Sequence, residues 1–252
     1  MMYKILANTQ FLGKDVVYLT ECHSTNDFAM DLVRCERATH GMLIWTPNQL
    51  KGKGQRGNRW FTEPNKNLTF SVILKHESFD VSDIFRLNIA VSLAVHQVLK
   101  RFVHSISIKW PNDFLDPKEG KIGGMLIENS ISGQQVLYSV VGLGINVNQL
   151  QFPFPGATSL SLLAARDIDL KPLLEQLLES IERSYMALKY KGARGLIQDY
   201  LAHLYRFQQW AMYDDGDQFE GKIVGVEADG KLILQKQNGE THRYSFKSIR
   251  FV

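Results

Sequence analysis

The character of the chain changes after about Phe207, and this change predicts two packed parts. Downstream, short β-prone runs alternate with turn signals at Asp214-Asp215-Gly216, Asp229-Gly230 and Asn238-Gly239, and the last two signals are typical of hairpins. The tail is therefore predicted to be a small antiparallel β module. No linker-like tract precedes it, so we expect it to pack on the rest of the chain. We predict one domain over residues 1–206 and a second over residues 207–252.

Upstream of this boundary, helical and strand patterns are mixed. Apolar residues recur at steps of three and four over Ser82–Phe102 and Leu170–Leu188, which predicts two amphipathic helices. Shorter helices are predicted after the N-cap at Ser24 or Thr25 and over Leu196–Leu204. The predicted strands are Asp15–Thr20, Met42–Trp45, Asn67–Lys75, Ile106–Trp110, Lys121–Glu128 and Val136–Val147. We therefore predict an α+β fold in which helices pack on a mixed sheet.

The composition excludes several classes of protein. The 252 residues carry a net charge of +3, which is too mild for a dedicated nucleic-acid binder. No stretch approaches the ~18 apolar residues of a membrane span, and residues 1–10 lack the apolar core of a signal peptide. Cys22 and Cys35 lack the spacing of zinc ligands. We predict a cytoplasmic protein with reduced thiols and no attachment to a membrane.

A glycine-rich basic segment, Gly52-Lys53-Gly54-Gln55-Arg56-Gly57-Asn58-Arg59-Trp60, follows the apolar run Met42–Trp45. Glycine lets backbone amides turn toward an anion, the cations add charge, and Trp60 offers a flat apolar face to a ring. The segment is not a phosphate-binding loop of the Walker A type, because Gly57 is followed by asparagine instead of lysine. Taken alone, it is equally consistent with a solvated connection.

Polar residues or glycines also follow or interrupt three of the later strands. Pro111 ends the strand over Ile106–Trp110, so Lys109, Asn112 and Asp113 are predicted to project from the sheet rim, although asparagine and aspartate also form ordinary turns. Gly123 and Gly124 inside the next strand predict either close approach of a ligand or a β-bulge.

The third such motif is Gly142-Leu143-Gly144-Ile145-Asn146-Val147-Asn148, with glycines beside amide side chains at a strand end. The Asn146 amide has both a donor and an acceptor, so it can pair with the edge of an adenine. By itself this signal is weak.

Together, the segment Ser24-Thr25-Asn26, the glycine-rich segment and the three later motifs resemble biotin protein ligases in order and spacing, over roughly residues 15–250. The sequence Lys-Trp-Pro-Asn-Asp followed by Lys-x-Gly-Gly carries most of the resemblance. It implies a catalytic domain of mixed sheet and helices, related to lipoate-attaching enzymes, with a C-terminal β-barrel of the Src-homology-three kind. It also implies ATP-dependent ligation of biotin to a lysine of a biotin carboxyl carrier protein through biotinyl-5′-adenylate.

The same resemblance implies a role for each matching residue. Lys121 would bridge the biotin carboxylate and the α-phosphate, Lys109 would hold phosphate, and Asp113 would position or deprotonate the acceptor lysine. Biotin would be bound by Ser24, Thr25, Asn26, Gln49, Gly123 and Gly124. ATP and the adenylate would be bound by Gly52, Lys53, Gly54, Gln55, Arg56, Gly57, Trp60, Asn112 and Asn146. Mg²⁺ would neutralise phosphate charge, but the sequence does not identify its ligands.

The glycine-rich segment departs from the family pattern Gly-Arg-Gly-Arg-x-Gly-Arg-x-Trp. Lys53, Gln55 and Asn58 occupy the three arginine positions, so only one of the three keeps a cation. A glutamine cannot make the bidentate charged contact that arginine makes with phosphate. We expect the glycine backbone to be retained and Arg56 and Arg59 to compensate for the lost charge.

Other readings stay open at this point. A lipoate or octanoate ligase would share the scaffold and the adenylation chemistry, and a non-catalytic nucleotide- or RNA-binding protein would use only the basic segment. Because the chain reaches Ser24-Thr25-Asn26 so early, we expect no N-terminal winged helix-turn-helix domain and no DNA partner. A homodimer is possible, since an edge strand can pair or be capped. We hypothesise that residues 149–159, which include Phe152 and Phe154, cover the adenine, with plain packing as the alternative.

Overall fold

A seven-stranded mixed sheet forms the centre of the computed structural model, which describes residues 7–54, 58–191 and 195–252. Its strands are β1 (Val16–Tyr18), β2 (Leu43–Thr46), β5 (Leu68–Lys75), β6 (Ser107–Lys109), β7 (Asp113–Asp116), β8 (Gly120–Ser132) and β9 (Gln135–Ile145). They pair in the order β1-β2-β5-β9-β8-β7-β6, with β1 and β2 parallel and every other pair antiparallel. A separate hairpin joins β3 (Gly52–Lys53) and β4 (Arg59–Trp60). The predicted mixed sheet is confirmed.

Helices cover both faces of this sheet. They are α1 (Thr25–Arg34), α2 (Ile84–Leu99), α3 (Leu160–Ala164), α4 (Leu170–Lys191) and α5 (Leu196–Ala202). In β5, Phe70, Val72 and Leu74 point into the large core shared with α2 and α4, whereas Ile73 packs with Ala29 of α1. The alternation of β5 thus places α1 on the face opposite to α2 and α4.

Most of the predicted elements are present, with shifted ends. The helix predicted over Ser82–Phe102 is α2, preceded by a 3₁₀ turn over Val81–Asp83. Strand β7 and helix α3 were not predicted, because each has only four or five residues and shows no period.

The tail forms a second, fully antiparallel sheet of five strands. These are β10 (Trp210–Asp214), β11 (Gln218–Val226), β12 (Leu232–Lys236), β13 (Thr241–Tyr244) and β14 (Arg250–Phe251), paired in the order β13-β12-β11-β10-β14. The antiparallel tail is confirmed. Within the described residues no ladder joins the two outer strands, so the sheet is an open version of the predicted barrel.

The tail packs on the main sheet, as expected. The Trp110 indole Nε1 donates to the Gly230 carbonyl at 3.0 Å, and the Trp110 ring lies 5.2 Å from that of Phe246. Phe85 of α2 contacts the same Phe246 ring at 6.1 Å. The segment after β6 therefore joins both sheets. None of the helices in the described ranges combines the length and apolar character needed to cross a bilayer.

Candidate active site

A cavity of about 880 Å³ opens between α1, the β3–β4 hairpin, the glycine-bearing strands of the main sheet and β14. The residues of the sequence prediction that line it are Ser24, Thr25, Asn26, Gln49, Lys53, Gly54, Trp60, Lys109, Asn112, Asp113, Lys121 and Gly124. Gly52, Gly123 and Asn146 are described but do not line it. Gln55, Arg56 and Gly57 lie outside the described residues. The fold thus gathers segments that are far apart in sequence around one space.

The start of α1 places three of these residues at the cavity. Ser24 is the N-cap, with an extended backbone and a hydroxyl that accepts from the Asp27 amide at 3.4 Å. Thr25 and Asn26 then occupy the first turn and are almost fully buried. Since buried polar groups require partners, these two side chains must be part of a hydrogen-bond network.

That network forms a polar floor for the cavity. The Gln49 Oε1 accepts from the Thr25 backbone N–H at 2.9 Å and lies 3.3 Å from the Thr25 hydroxyl. The buried Ser71 hydroxyl lies 2.8 Å from the Thr25 hydroxyl and 2.7 Å from Asn26 Oδ1. The Asn26 Nδ2 donates to a carboxylate oxygen of Glu128 at 2.8 Å. Hydroxyl and amide groups of this kind can pair with a heterocycle that carries N–H and carbonyl groups.

Glycines of β8 and β9 make room for the side chains of the site. A Cβ on Gly142 would lie 2.0 Å from Asn26 Oδ1, and one on Gly144 would lie 2.5 Å from the Trp60 ring. A Cβ on Gly124 would lie 2.9 Å from Asp113 Oδ1. These glycines are therefore required by neighbouring side chains of the protein itself, before any ligand is considered.

The β-bulge, which was the alternative explanation for the paired glycines, is also present. Leu115 pairs with Lys121 and Phe114 with Gly123, so Ile122 is the extra residue on β8. Gly123 faces the backbone of β9, where a Cβ would lie 2.8 Å from the Gly144 carbonyl oxygen. Close approach of the two strands accounts for the glycine at this position, and the contact of Gly123 with biotin stays a prediction.

Lys121 and Asp113 form an ion pair in the cavity wall. The Lys121 Nζ lies 2.7 Å from Asp113 Oδ1 and 5.8 Å from the centre of the Trp60 ring. About a third of each charged side chain is exposed, 38% for the lysine and 33% for the aspartate. The backbone of Lys121 is fixed as well, since its N–H donates to the Gly156 carbonyl and its carbonyl accepts from Thr158. A positioned but accessible ammonium group results.

Lys109 is a more deeply placed cation. Burial lowers its pKa, Asp113 opposes this effect, and the nearby charges of Lys121 and Arg206 lower the pKa further. The ammonium lies 5.0 Å from the centre of the Phe251 ring. A cation that is desolvated beside other cations is stabilised when an anion enters, which suits phosphate or carboxylate binding.

The turn between β6 and β7 is held from outside the sheet. The Pro111 carbonyl accepts from Asn88 Nδ2 of α2 at 3.0 Å and from the Tyr200 hydroxyl of α5 at 2.8 Å. The buried Asn112 amide donates to the Met125 carbonyl of β8. Asn112 therefore fixes the turn that carries Lys109 and Asp113.

The β3–β4 hairpin contributes Lys53 and Trp60 to the cavity. Lys53 Nζ lies 2.6 Å from Asp27 Oδ1 of α1, and this hydrogen bond is the main cause of its raised pKa. The Gly54 N–H donates to the Asn58 carbonyl at 2.7 Å. The Trp60 Nε1 is buried without a hydrogen-bond partner among the described residues.

Asn146 is buried behind the cavity wall instead of lining it. Its Nδ2 donates to the Thr158 carbonyl at 3.0 Å, whereas its Oδ1 has no partner in the described part of the chain. Such an unsatisfied buried oxygen is able to accept from an N–H donor such as the exocyclic amine of adenine. The adenine contact predicted for Asn146 stays a prediction.

Sequence reasoning did not identify several lining residues. Lys247, Ile249, Arg250 and Phe251 bring the end of the tail to the cavity, although no motif there suggested a site. Phe61, likewise not predicted, lines it too, and its ring centre lies 5.2 Å from that of the lining residue Phe154 in an edge-to-face arrangement. Phe154 belongs to the hypothesised cover, residues 149–159, and its contact joins that segment to the end of β4.

Comparisons with known proteins agree with this geometry. The profile of the Biotin/lipoate A/B protein ligase family matches residues 18–146, and that of the Biotin protein ligase C terminal domain matches residues 211–246. The Bifunctional ligase/repressor BirA of Bacillus subtilis is 27% identical over 256 residues, which cover 94% of this chain and 74% of that protein. The Biotin--[acetyl-CoA-carboxylase] ligase of Paracoccus denitrificans is also 27% identical, with coverage of 88% and 94%.

Solved structures show the same fold. The biotin protein ligase from Aquifex aeolicus in complex with biotin and ATP superposes with a TM-score of 0.78 and 24% identity, over 95% of this chain and 100% of that one. A biotin protein ligase from Leishmania major in complex with biotinyl-5-AMP gives a TM-score of 0.60 at 21% identity.

Proposed function

The chain belongs to the Biotin/lipoate A/B protein ligase family, and from this premise we propose that it joins biotin to a lysine of a carrier protein in an ATP-dependent reaction. The observation that carries the proposal is the Lys121–Asp113 ion pair, 2.7 Å long, in the wall of a cavity with a polar floor. Among the substrates of this family, biotin is supported by the name of the Paracoccus denitrificans relative, a Biotin--[acetyl-CoA-carboxylase] ligase.

The first step would join two anions. The biotin carboxylate attacks the α-phosphorus of ATP, a P–O bond forms, and pyrophosphate leaves to give biotinyl-adenylate. Two unit charges ~4 Å apart repel by about 4 kcal/mol at an effective dielectric of 20. The Lys121 side chain is accessible, and its backbone is held by hydrogen bonds. Its ammonium would leave Asp113, contact the oxygens of the biotin carboxylate and the α-phosphate, and stabilise their charge in the transition state. It acts as a cation and not as a base.

The second step needs a base and a neutral amine. When Lys121 turns to the substrate oxygens, Asp113 is released as a carboxylate at the cavity wall. It would accept the proton of the acceptor lysine as that amine attacks the mixed anhydride, and AMP would leave. Asp113 is thus proposed to act first as a counter-ion and then as a positioning or basic group.

Cations from other elements would replace the missing arginines of the glycine-rich segment. From other elements, Lys109 lies beside Lys121, and Lys247 and Arg250 line the cavity; Arg59 of the segment itself lines it too. Arg250 is exposed and pairs with Asp214 at 2.9 Å. We propose that these groups hold the phosphates that Gln55 and Asn58 cannot hold.

A magnesium ion would depend on the nucleotide for most of its ligands. Within the described ranges there is no group of three or more His, Cys, Asp or Glu side chains that could hold a metal. Asp113 is the one acidic side chain among the described lining residues, and it forms an ion pair with Lys121. A bound Mg²⁺ would reduce the phosphate charge, and the described residues would supply few of its ligands.

The polar floor favours biotin over a fatty acyl or lipoyl substrate. An acyl chain has no N–H or carbonyl group at its far end, so Thr25, Asn26 and Gln49 would lose water without gaining partners. Leaving buried polar groups unpaired costs about 1–3 kcal/mol each. Lipoate and octanoate therefore serve as the comparison substrates.

We further propose a biotin carboxyl carrier protein as the acceptor and a cytoplasmic location. The division into domains over residues 1–206 and 207–252 is likewise a proposal, as is a homodimer through an exposed edge strand such as β1. The name of the Paracoccus denitrificans relative, an acetyl-CoA-carboxylase ligase, supports the choice of acceptor.

Exchange of labelled pyrophosphate into ATP tests the reaction. We expect exchange that requires biotin and that lipoate or octanoate does not support at the same concentration. Transfer to a purified carrier domain, followed by mass spectrometry, should then show one added biotin per acceptor. Exchange that does not depend on biotin, or that lipoate supports better, would refute the proposal.

A further inference from the structure

The floor of the cavity contains an amide whose two ends are held in fixed directions. The Asn26 Nδ2 donates to Glu128 Oε2 at 2.8 Å and approaches the Leu126 carbonyl at 3.3 Å. A carboxylate can only accept, so Glu128 selects the nitrogen end of this amide and turns the oxygen end toward Ser71. Glu128 itself is half-buried and does not line the cavity.

The second amide of the floor is also oriented. The Gln49 Oε1 faces α1, where it accepts from the Thr25 backbone N–H at 2.9 Å. Its Nε2 is consequently turned away from α1, and it lies 2.5 Å from where a Cβ on Gly52 would be. Gln49 therefore keeps its N–H groups toward the β3–β4 hairpin.

These internal bonds decide what the floor offers to a ligand. With both N–H groups directed at the protein, Asn26 has one acceptor lone pair left on Oδ1. Gln49 has N–H donors left. Both residues line the cavity, and a ureido ring, with two N–H groups and one carbonyl, can pair with an acceptor and with a donor.

We propose that Glu128 is a positioning residue that sets the preference of the site for a ureido ring. It acts through Asn26, by holding the amide so that an oxygen and not a nitrogen is presented to the ligand. The inference rests on the proposed function, because it concerns the recognition of the same substrate. Loss of Glu128 would let the Asn26 amide rotate and would present N–H groups where the ligand also has N–H groups.

The experiment measures binding of biotin and of dethiobiotin to the full chain by titration calorimetry. Dethiobiotin keeps the ureido ring and lacks the sulfur. Glu128→Ala is expected to weaken both ligands about 10-fold, the equivalent of one well-oriented hydrogen bond. Glu128→Gln is expected to stay within about 3-fold of the parent, because its carbonyl oxygen can still accept from Asn26.

Two further measurements separate positioning from a general structural effect. The KM for ATP and the kcat at saturating biotin should be unchanged in the Glu128 variants, whereas a loosened fold would alter both. Glu119→Ala removes an exposed carboxylate just before β8 and should leave biotin affinity unchanged. If Glu128→Ala does not fold, Ser71→Ala, which removes the hydroxyl that donates to Asn26 Oδ1, should show a loss of about 3- to 10-fold.

The outcomes are distinct. Equal affinity of the parent and a folded Glu128→Ala variant would overturn the inference and leave the proposed function intact. An equal loss in Glu119→Ala would overturn it too. A parent chain that binds neither ureido compound would overturn the proposed function itself, and the inference with it.

Discussion

Replacing Gly142 by alanine should weaken biotin binding strongly while the chain still folds. A Cβ at this position would lie 2.0 Å from Oδ1, 2.7 Å from Cγ and 3.1 Å from Nδ2 of Asn26. Carbon atoms and their neighbours settle at roughly 3.5–4.0 Å, so the Asn26 amide has to move by roughly 1 Å or more. Gly142 has no positive φ, so the substitution adds no backbone strain of its own.

The size of the effect follows from what holds Asn26. Its amide bonds to Ser71 at 2.7 Å, to Glu128 at 2.8 Å and to the Leu126 carbonyl at 3.3 Å. A shift of this size breaks at least one of the two shorter bonds and leaves a buried group unpaired, at a cost of about 1–3 kcal/mol. Since 1.4 kcal/mol corresponds to a tenfold change, affinity should fall about 10- to 100-fold.

Titration calorimetry with biotin measures this loss, and thermal unfolding reports how much of the cost appears in stability. Gly225→Ala is the matched control, because among the described residues a Cβ there would contact Ile233 Cδ1 alone, at an ordinary 3.4 Å. The control should bind biotin like the parent and change stability by less than about 1 kcal/mol. If folded Gly142→Ala binds biotin within 3-fold of the parent, the steric reasoning is refuted.

Four further predictions concern other parts of the molecule. Lys121→Ala should slow biotin-dependent pyrophosphate exchange by ~10²- to 10³-fold at unchanged melting temperature, and exchange within tenfold of the parent would contradict its role. Burial lowers the pKa of His76 and His96 to about 4, below the ~6.5 of an unfolded histidine, so the unfolded chain takes up protons first. Each histidine should therefore contribute about 1–3 kcal/mol to the free energy of unfolding; this contribution is fully present above about pH 6.5 and is lost as pH falls toward 4. Equal urea midpoints at pH 7 and pH 4.5 would refute this. Arg250→Ala should raise the KM for ATP about 3- to 10-fold with little effect on biotin, and an unchanged KM would exclude it from phosphate binding. Biotin with ATP should protect residues 149–159 from limited proteolysis, and unchanged cleavage would count against the cover.

The backbone of the site follows from short-range sequence patterns. The period of three and four residues predicts α2 and α4, and the short apolar runs predict the central strands. Lys109, Asn112 and Asp113 were predicted to project from the sheet rim, and all three line the cavity. Such predictions succeed because each depends on neighbours only a few residues away.

The supporting residues are not predictable in this way. Ser71 and Glu128 lie in strands, where a single polar residue is consistent with ordinary alternation. Their importance comes from contacts with Asn26 that span 45 and 102 residues of sequence. Lys53, for which the family resemblance implies phosphate binding, lines the cavity and lies 2.6 Å from Asp27 Oδ1, and its contact with phosphate stays a prediction.

The glycines explain how a basic segment that departs from its family pattern is still compatible with adenylation chemistry. On the main sheet, Gly124 and Gly144 admit the side chains of Lys121 and Trp60, so these groups are positioned from beneath by β8 and β9. Lys109 comes from the β6–β7 turn and Arg250 from the tail, and neither depends on the glycine-rich segment. We infer that the positive charge of the site has been distributed over the sheet rim and β14. The cavity therefore keeps a cationic wall although Gln55 and Asn58 stand where the family pattern has arginines.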